Sequence, residues 1–276
     1  MSKKLGFIGA GNMANALIAC FLESGKYNKS DIVIYDLDEE KSQIYKNEGY
    51  TVVSNEGQVF GASSFVFIAV SPFAMKKVLK NSAPYVTMDN VLISMAAGIS
   101  IAFIKRNLGK DCKVVRIMPN TSVSVNLGTI AVSYEMPITY SELNEVKNLL
   151  ALGGIVEILP EDKMNEVISV SGSAPIFVYE LIKGMINGAI SQGIDPEIAE
   201  HFTIQTILGA TTMVANSNLD IDTHIKNMCT PNGTTSKIAT FLDKHGFESI
   251  IGDAMLACTK RTAEIEREAD RDIYAQ

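Results

Sequence analysis

The feature that most constrains the fold is a glycine-rich turn directly after the first apolar run. Leu5–Ile8 is typical of a buried strand, and Gly9-Ala10-Gly11-Asn12-Met13-Ala14 follows it and opens a helical pattern. In such a turn the first glycine permits the tight bend, the second lets the backbone approach a pyrophosphate, and the final small residue allows close helix–strand packing. The helix N-terminus also offers N–H groups to phosphate. We therefore predict a dinucleotide site here.

Apolar runs alternate with helix-length segments up to residue 160, and only helical periodicity follows Pro160. Several runs are apolar throughout, which indicates strands buried on both faces of a mostly parallel sheet. The predicted class is α/β: a Rossmann-type dinucleotide-binding domain over 1–160 and an all-helical domain over 161–276. Apolar faces on several helices of this small second domain suggest burial against a partner chain, which predicts a dimerisation domain. Strands are predicted at Leu5–Ile8, Ile32–Tyr35, Phe65–Val70, Val91–Met95, Lys113–Met118, Ile130–Ser133 and Ile155–Leu159.

An acidic residue, Asp36, stands at the end of the second predicted strand. A carboxylate there accepts hydrogen bonds from ribose hydroxyls and repels a 2′-phosphate. The neighbourhood contains no arginine, and Lys41 is its first base. These observations favour NADH over NADPH, although a merely solvated Asp36 would leave the preference open and NADPH possible.

Two later strand ends carry small residues, in Ala69-Val70-Ser71-Pro72 and Ala96-Ala97-Gly98. Ligands of open α/β sheets bind at the carboxyl ends of strands, so these loops are expected to face the ribose and nicotinamide. Either loop is also compatible with ordinary turn chemistry.

A third loop, Thr230-Pro-Asn-Gly-Thr-Thr235, turns into a helix that runs to Lys244. Its exposed N–H groups suit a carboxylate, and the threonine hydroxyls suit a second polar atom. A plain helix cap is the alternative interpretation.

Spaced motifs along nearly the whole chain resemble the pyrroline-5-carboxylate reductase family. They run from Gly9-x-Gly-Asn-Met through Arg116-x-Met-Pro-Asn-Thr121, Ser171-Gly-Ser-x-Pro175 and Pro231-x-Gly-Thr-Thr235 to Arg261-Thr-x-Glu264. The resemblance implies reduction of Δ1-pyrroline-5-carboxylate to proline by hydride from a nicotinamide, which is a step of proline biosynthesis. It also implies a homodimer formed through the helical domain, with dimers often joined into rings.

Carried onto this chain, the resemblance assigns the substrate carboxylate to the backbone of Gly233, Thr234 and Thr235. The Thr235 hydroxyl is the candidate catalytic group, because it is placed to bond the imine nitrogen. Ser173 and Asn232 complete the predicted substrate site. The predicted cofactor-binding residues are Gly9, Gly11, Asn12, Met13, Asp36, Asn55, Ala69, Val70, Ser71, Pro72, Ala97, Gly98 and Asn120.

The chain departs from the family pattern near both predicted ligands. Ser71 stands where many members carry lysine, and Asn232 where glycine is usual; Ala174 and Ile176 replace the usual glycine and alanine. Asparagine tolerates left-handed backbone angles better than other non-glycine residues, so the loop at Asn232 can keep its shape.

Three alternative functions are compatible with parts of the pattern. A β-hydroxyacid-type dehydrogenase would use Lys183 and Asn187, which have the right spacing, but the glycine pattern expected before the lysine is missing. A related cyclic-imine carboxylate reductase differs only in its substrate. A dinucleotide-binding accessory or sensor protein would explain Ser71 and Asn232 but not the retained Thr234 and Thr235.

Composition excludes several classes of partner. The net charge is −7 without a basic run, so neither nucleic acid nor an anionic membrane is an expected partner. The four cysteines and three histidines show no metal-ligand spacing, which predicts a reduced, metal-free protein. The first residues run directly into a strand pattern without a leader-type apolar segment, and we expect a cytoplasmic location.

Overall fold

The computed structural model describes residues 4–271, which form two compact units. The first unit contains the described residues up to Ser173 together with those from Ala257 onward, and the second contains Ala174–Leu256. The functional division at residue 160 stays a prediction.

One eight-stranded sheet organises the first unit, in the order β3-β2-β1-β4-β5-β6-β7-β8. All neighbouring strands are parallel except β6 and β7, which are antiparallel, so the predicted mostly parallel sheet is confirmed. The strands are β1 (Leu5–Ile8), β2 (Ile32–Tyr35), β3 (Thr51–Val52), β4 (Phe65–Ile68), β5 (Val91–Ser94), β6 (Lys113–Pro119), β7 (Gly128–Tyr134) and β8 (Gly154–Ile158).

The predicted strands differ from the observed ones mainly at their ends. β4 ends at Ile68 rather than Val70, because the chain leaves the sheet there for the loop at Ala69. β7 is longer than predicted, from Gly128 to Tyr134. β3 was not predicted, because this half-buried edge strand has only two residues, Thr51 and Val52.

The helices of the structure begin with α1 (Asn12–Glu23), which carries the chain from the glycine-rich turn over the sheet. Beyond Pro160 the structure contains helices and a short 3-10 turn, as predicted for this half of the chain. The remaining helices are α2 (Glu39–Asn47), α3 (Glu56–Ala62), α4 (Met75–Ser82), α5 (Ile101–Leu108), α6 (Tyr140–Leu150), α7 (Val167–Val170), α8 (Pro175–Ser191), α9 (Pro196–Ala215), α10 (Ile221–Met228), α11 (Thr234–Lys244) and α12 (Phe247–Asp270).

The sheet is buried on both faces, because alternate residues of each central strand enter different hydrophobic clusters. In β1, Phe7 lies in one cluster and Ile8 in the other. Phe67 and Ile68 divide in the same way on β4, and the rings of Phe7 and Phe67 stack with their centroids 4.8 Å apart. This two-sided packing fixes the carboxyl ends of β1 and β4, where the predicted site lies.

The second unit, by contrast, exposes much of its apolar surface. On α9 only Ala199 and Thr203 are buried, whereas Phe202 is 71% and Leu208 55% exposed. Exposed apolar side chains on this scale mark a surface that binds another protein. Among the described residues, no helix is long and apolar enough to cross a membrane.

Candidate active site

The glycine-rich turn lies where the strand order reverses, between β2 and β4 on either side of β1. Gly9 has φ +92°, and a Cβ there would lie 2.6 Å from the carbonyl oxygen of Ala69. Its own N–H donates to the carbonyl of Tyr35 at 2.8 Å. Gly11 precedes α1 and has open space where a side chain would point. The turn is therefore closed towards the sheet and open towards a ligand.

A crevice of about 240 Å³ opens at this edge of the sheet. It brings together Gly9, Gly11, Asp36 and the loop 69–71, all predicted as cofactor-binding. A crevice at the switch point of an open α/β sheet is the usual position of a bound dinucleotide. Its lining residues are Ile8, Gly9, Ala10, Gly11, Tyr35, Asp36, Leu37, Lys41, Glu56, Ala69, Val70, Ser71, Ala74 and Val78.

Asp36 is held in place by the backbone around it. One carboxylate oxygen accepts the N–H of Ala10 at 2.7 Å, and the other accepts the N–H of Asp38 at 2.9 Å. The carboxylate therefore stands between the glycine-rich turn and the start of α2, with lone pairs left for a ribose hydroxyl.

Two further charged residues line the crevice. Glu56, which the sequence reading did not single out, is buried and accepts a hydrogen bond from the Asn81 amide at 3.0 Å. Lys41 lies 3.7 Å from the carboxylate of Asp38, which it partly neutralises. Burial, and then the charges of Glu56 and Asp36, raise the pKa of Tyr35, which reports a negative environment at this end of the crevice.

The remaining predicted cofactor residues lie outside the crevice lining. Asn12 faces an adjoining cavity of about 490 Å³, while Met13 packs against the core. Asn55 caps α3 by accepting the N–H of Gln58 at 3.0 Å. Pro72 starts a 3-10 turn after the exposed Ser71. The structure thus places these residues around the crevice edge or in supporting roles, and their contact with a cofactor stays a prediction.

The loop after β5, with Ala97 and Gly98, packs on the last helix of the chain. A Cβ on Gly98 would lie 2.9 Å from the carbonyl oxygen of Thr262 and 3.0 Å from the backbone nitrogen of Glu266. The carboxylate of Glu266 accepts the side-chain amide of Asn165 at 2.9 Å. The position of this loop therefore depends on α12.

Arg116, on β6, is bonded to the same region through the side chain of Asn165. Its guanidinium is buried, donates to the carboxylate of Glu161 at 3.0 Å, and donates to the side-chain oxygen Oδ1 of Asn165 at 2.9 Å. Glu161 also accepts the N–H of Ile101, at the start of α5. These bonds join four side chains into one polar network, the Arg116 network, which consists of Arg116, Glu161, Asn165 and Glu266. The sequence shows Arg116 only as part of a motif, because nothing local identifies its partners.

Asn120, predicted to bind cofactor, follows β6 directly and is buried. Its side-chain amide donates to the Thr129 hydroxyl at 3.1 Å and to the carbonyl of Ser171 at 3.4 Å. Ser173, predicted to bind substrate, is exposed two residues beyond Ser171. The structure therefore brings the strand end at Asn120 and the loop 171–173 together within the first unit.

The predicted carboxylate site lies in the second unit, at the N-terminus of α11. Asn232 has φ +59°, the left-handed conformation that asparagine tolerates. Gly233 precedes the helix, and its N–H donates to the carbonyl of Thr230 at 2.9 Å. Thr234 is exposed and Thr235 half-buried in the first turn. The first N–H groups of a helix have no partner within it, so this end can bind an anion.

Lys183 and Asn187, the pair expected of a hydroxyacid dehydrogenase, are both exposed on α8. The ammonium of Lys183 lies 3.5 Å from the carboxylate of Glu180, one turn away, and both side chains are about two-thirds exposed. This arrangement is an ordinary surface ion pair. Within residues 4–271, no cluster of three or more histidine, cysteine or acidic side chains is arranged to hold a metal ion.

Two family models match the chain, one on each part of it. Residues 161–265 match the model described as pyrroline-5-carboxylate reductase dimerisation. Residues 4–98, which contain the glycine-rich turn and Asp36, match the model described as NADP oxidoreductase, coenzyme F420-dependent. The first model identifies the helical part of the chain as a dimerisation domain, and the second identifies the N-terminal part as a nicotinamide-dinucleotide domain.

Full-length relatives agree with these matches. The pyrroline-5-carboxylate reductase of Escherichia coli K12 is 30% identical over 268 residues, covering 97% of this chain and 100% of the relative. Pyrroline-5-carboxylate reductase 3 of Danio rerio is 34% identical, covering 95% and 91%. A crystal structure of the Plasmodium falciparum pyrroline carboxylate reductase with NADP bound has a TM-score of 0.90 at 25% identity, covering 96% of this chain and 98% of that chain. This chain belongs to the pyrroline-5-carboxylate reductase family.

Proposed function

We propose that this chain reduces Δ1-pyrroline-5-carboxylate to L-proline, with NADH as the preferred hydride donor. Family membership supports the reaction. The observation that carries the assignment of the cofactor site is the crevice at the β1–β4 switch point, where Gly9, Gly11 and Asp36 converge.

The crevice residues fit a dinucleotide. Gly11 and the start of α1 leave open space and unpaired N–H groups for the pyrophosphate, and Asp36 is fixed beside them for the adenosine ribose. The loops at Ala69 and Ala97 continue along the same sheet edge towards the nicotinamide end. When bound, the reduced nicotinamide supplies a hydride to the imine carbon of the substrate.

The substrate carboxylate binds the N–H groups of Thr234 and Thr235 at the start of α11. Gly233, whose own N–H donates to the carbonyl of Thr230, shapes the loop together with Asn232. The hydroxyl of Thr235 bonds the ring nitrogen, stabilises its protonated state and orients the ring, while Ser173 contributes a polar contact. The proton on nitrogen comes from water, either directly or through the Thr235 hydroxyl, which takes a proton from water as it gives its own. Catalysis of this kind works through orientation and electrostatics and requires no strong base, because a protonated imine carbon accepts hydride readily.

Charge at the crevice supports NADH. A 2′-phosphate beside Asp36 would also face the buried carboxylate of Glu56, while Lys41 is already engaged by Asp38. Ser71 offers no positive charge in compensation. The P. falciparum relative holds NADP, so the preference of this chain depends on its own residues here.

The proposed enzyme acts in the cytoplasm as a homodimer. The domain boundary near residue 160 separates cofactor binding from the helical part, whose exposed apolar side chains on α9 would be covered by the partner. A ring of dimers is the larger assembly to look for by measuring the mass in solution.

The central test is the oxidation of NADH and NADPH with pyrroline-5-carboxylate, with six-membered piperideine carboxylates in parallel. We expect turnover with the five-membered ring and a higher kcat/KM for NADH. A higher value for NADPH would refute the cofactor preference, and faster reduction of a piperideine would move the assignment to a related imine reductase. Tight NADH binding without oxidation of any imine would favour an accessory role.

Two variants test the residue assignments. Thr235→Ala should lose most of kcat while keeping its affinity for NADH, since only a bond to the reacting nitrogen is removed; equal loss of both would contradict the role of Thr235. Lys183→Ala is the matched control, because Lys183 is an exposed surface residue. It should remain fully active, whereas a hydroxyacid dehydrogenase would be inactivated by the change.

A further inference from the structure

Thr129, on β7, joins two predicted parts of the active site through its side chain. Its hydroxyl accepts the amide of Asn120 at 3.1 Å and donates to the hydroxyl of Ser171 at 2.9 Å. Asn120 and Ser171 are 7% and 6% exposed and Thr129 is half-buried, so both bonds are partly shielded from water. Thr129 lies outside all the motifs described in the sequence.

Thr129 also fixes the orientation of the Asn120 side chain. The backbone N–H of Thr129 donates to the side-chain oxygen Oδ1 of Asn120 at 3.3 Å, while the Thr129 hydroxyl accepts from the side-chain nitrogen Nδ2. The side-chain oxygen and nitrogen of Asn120 therefore both bond Thr129. If the amide were rotated by 180°, its NH2 group would face the Thr129 N–H, so only one orientation makes both bonds. The orientation of the Asn120 amide is thus set by Thr129 together with the carbonyl of Ser171.

The loop that follows Ser171 is seated tightly against the end of β6. A Cβ on Gly172 would lie 3.3 Å from the sulfur of Met118 and 3.7 Å from the carbonyl oxygen of Pro119. The N–H of Ser173 donates to the carbonyl of Ile168 at 2.8 Å. A shift of the Ser171 side chain would therefore be transmitted along a short, packed segment to Ser173.

We propose that Thr129 is a positioning residue for the reaction: its hydroxyl holds the cofactor-side Asn120 and the substrate-side loop 171–173 in register. This proposal rests on the proposed function, because Asn120 and Ser173 are assigned there. Small misplacements of reacting groups are costly, since a shift of about 1 Å can reduce the rate roughly a hundredfold. We expect a partial misplacement of Asn120 and the loop 171–173 to lower kcat/KM about tenfold.

Thr129→Val tests the proposal, because valine keeps the shape of threonine and suits a strand while removing the hydroxyl. We expect kcat/KM for pyrroline-5-carboxylate at saturating NADH to fall about tenfold, which corresponds to about 1.4 kcal/mol. The Kd for NADH should stay within about twofold, since Gly9 and Asp36 are untouched and the Asn120 amide keeps its bonds to the Thr129 N–H and the Ser171 carbonyl. Thr129→Ser, which restores a hydroxyl, should recover most of the activity.

Ser82→Ala is the matched control, since Ser82 is a buried residue of α4 whose hydroxyl has no hydrogen-bond partner among the described residues. It should leave kcat/KM unchanged. A Thr129→Val enzyme within twofold of wild type, or a Thr129→Ser enzyme as impaired as Thr129→Val, would overturn the proposal.

Ser171→Ala removes the hydrogen bond between the Thr129 and Ser171 hydroxyls from the Ser171 side. It is the variant to measure if Thr129→Val does not fold. It should lower kcat/KM to a similar degree, and the double variant should be little worse than either single variant, because residues acting through one bond are not additive. A multiplicative loss in the double variant would contradict action through Ser171. Wild-type enzyme that does not oxidise NADH with the imine would instead refute the proposed function, independently of the variants.

Discussion

Replacing Arg116 with methionine removes the positive charge from the centre of the Arg116 network while keeping most of the side-chain volume. The Arg116 side chain is 2% exposed and that of Glu161 27% exposed. Breaking a buried ion pair by removing one partner typically costs 3–5 kcal/mol, because the other charge is stranded. The second oxygen of Glu161 is buried without a hydrogen bond to a described residue, but the side chain as a whole keeps partial access to water and its first oxygen keeps the N–H of Ile101. We therefore expect the lower end, about 3 kcal/mol.

Thermal unfolding provides the assay. For chains of this size, 1 kcal/mol corresponds to a change of about 2–4 °C in Tm, so Arg116→Met should lower Tm by about 6–12 °C. Protein concentration must be held constant, because dimerisation contributes to the apparent stability. Lys163→Met is the control, since the ion pair of Lys163 with Asp162 is exposed and spans 3.8 Å; it should change the stability by less than about 1 kcal/mol.

The double variant Arg116→Met/Glu161→Gln gives a second criterion. Once the charge of Glu161 is removed as well, no anion is stranded, so the double variant should be more stable than the sum of the two single losses predicts. If Arg116→Met were no less stable than Lys163→Met, Arg116 would not be a buried anchor and the reasoning would fail.

Three further perturbations test separate features of the structure. Asp36→Ser should raise the ratio of NADPH to NADH kcat/KM roughly tenfold, about 1.4 kcal/mol, and an unchanged ratio would show that the carboxylate does not face the 2′ position. Asn232→Gly should remain active, whereas Asn232→Ala should destabilise its loop by about 1–2 kcal/mol because φ is +59° there; equal kcat/KM for the two variants would contradict this. Burial tends to raise the pKa of Glu142, but hydrogen bonds from Lys113 and Thr139 outweigh it and lower the pKa below its usual value. A lowered carboxyl pKa stabilises the folded state at neutral pH, and this is lost as pH falls through the folded pKa. The Tm difference between wild type and Glu142→Gln should therefore vanish in acid, and a difference independent of pH would refute the assignment.

Much of the first unit could be predicted from local sequence. The bounds of β1 and β2 were predicted as observed, because short apolar runs next to Gly9 and Asp36 leave little freedom in where a strand ends. The family resemblance, the mostly parallel sheet and the helical second half are also confirmed. β3 escaped prediction because two half-buried residues carry no periodic signal.

Long-range partners explain what the sequence reading missed. Glu56, Arg116 and Thr129 all depend on contacts with residues far along the chain, such as the bond from Asn81 to Glu56. No local pattern distinguishes a buried glutamate at a crevice from a surface glutamate at the start of a helix. By contrast, the left-handed Asn232 was accessible to sequence reasoning, since its conformational tolerance is a property of the residue itself.

The bond between the Asp36 carboxylate and the N–H of Ala10 has an evolutionary consequence. Under the proposed function, Asp36 selects between the two coenzymes, and the same side chain also holds the turn proposed to receive their shared diphosphate. Replacing Asp36 so that the phosphorylated coenzyme fits would also remove the hydrogen bond that holds the turn, and would weaken the binding of both coenzymes. A change of coenzyme preference that begins from this sequence therefore needs a second, compensating substitution. A single substitution yields an enzyme that binds the coenzymes less selectively and more weakly.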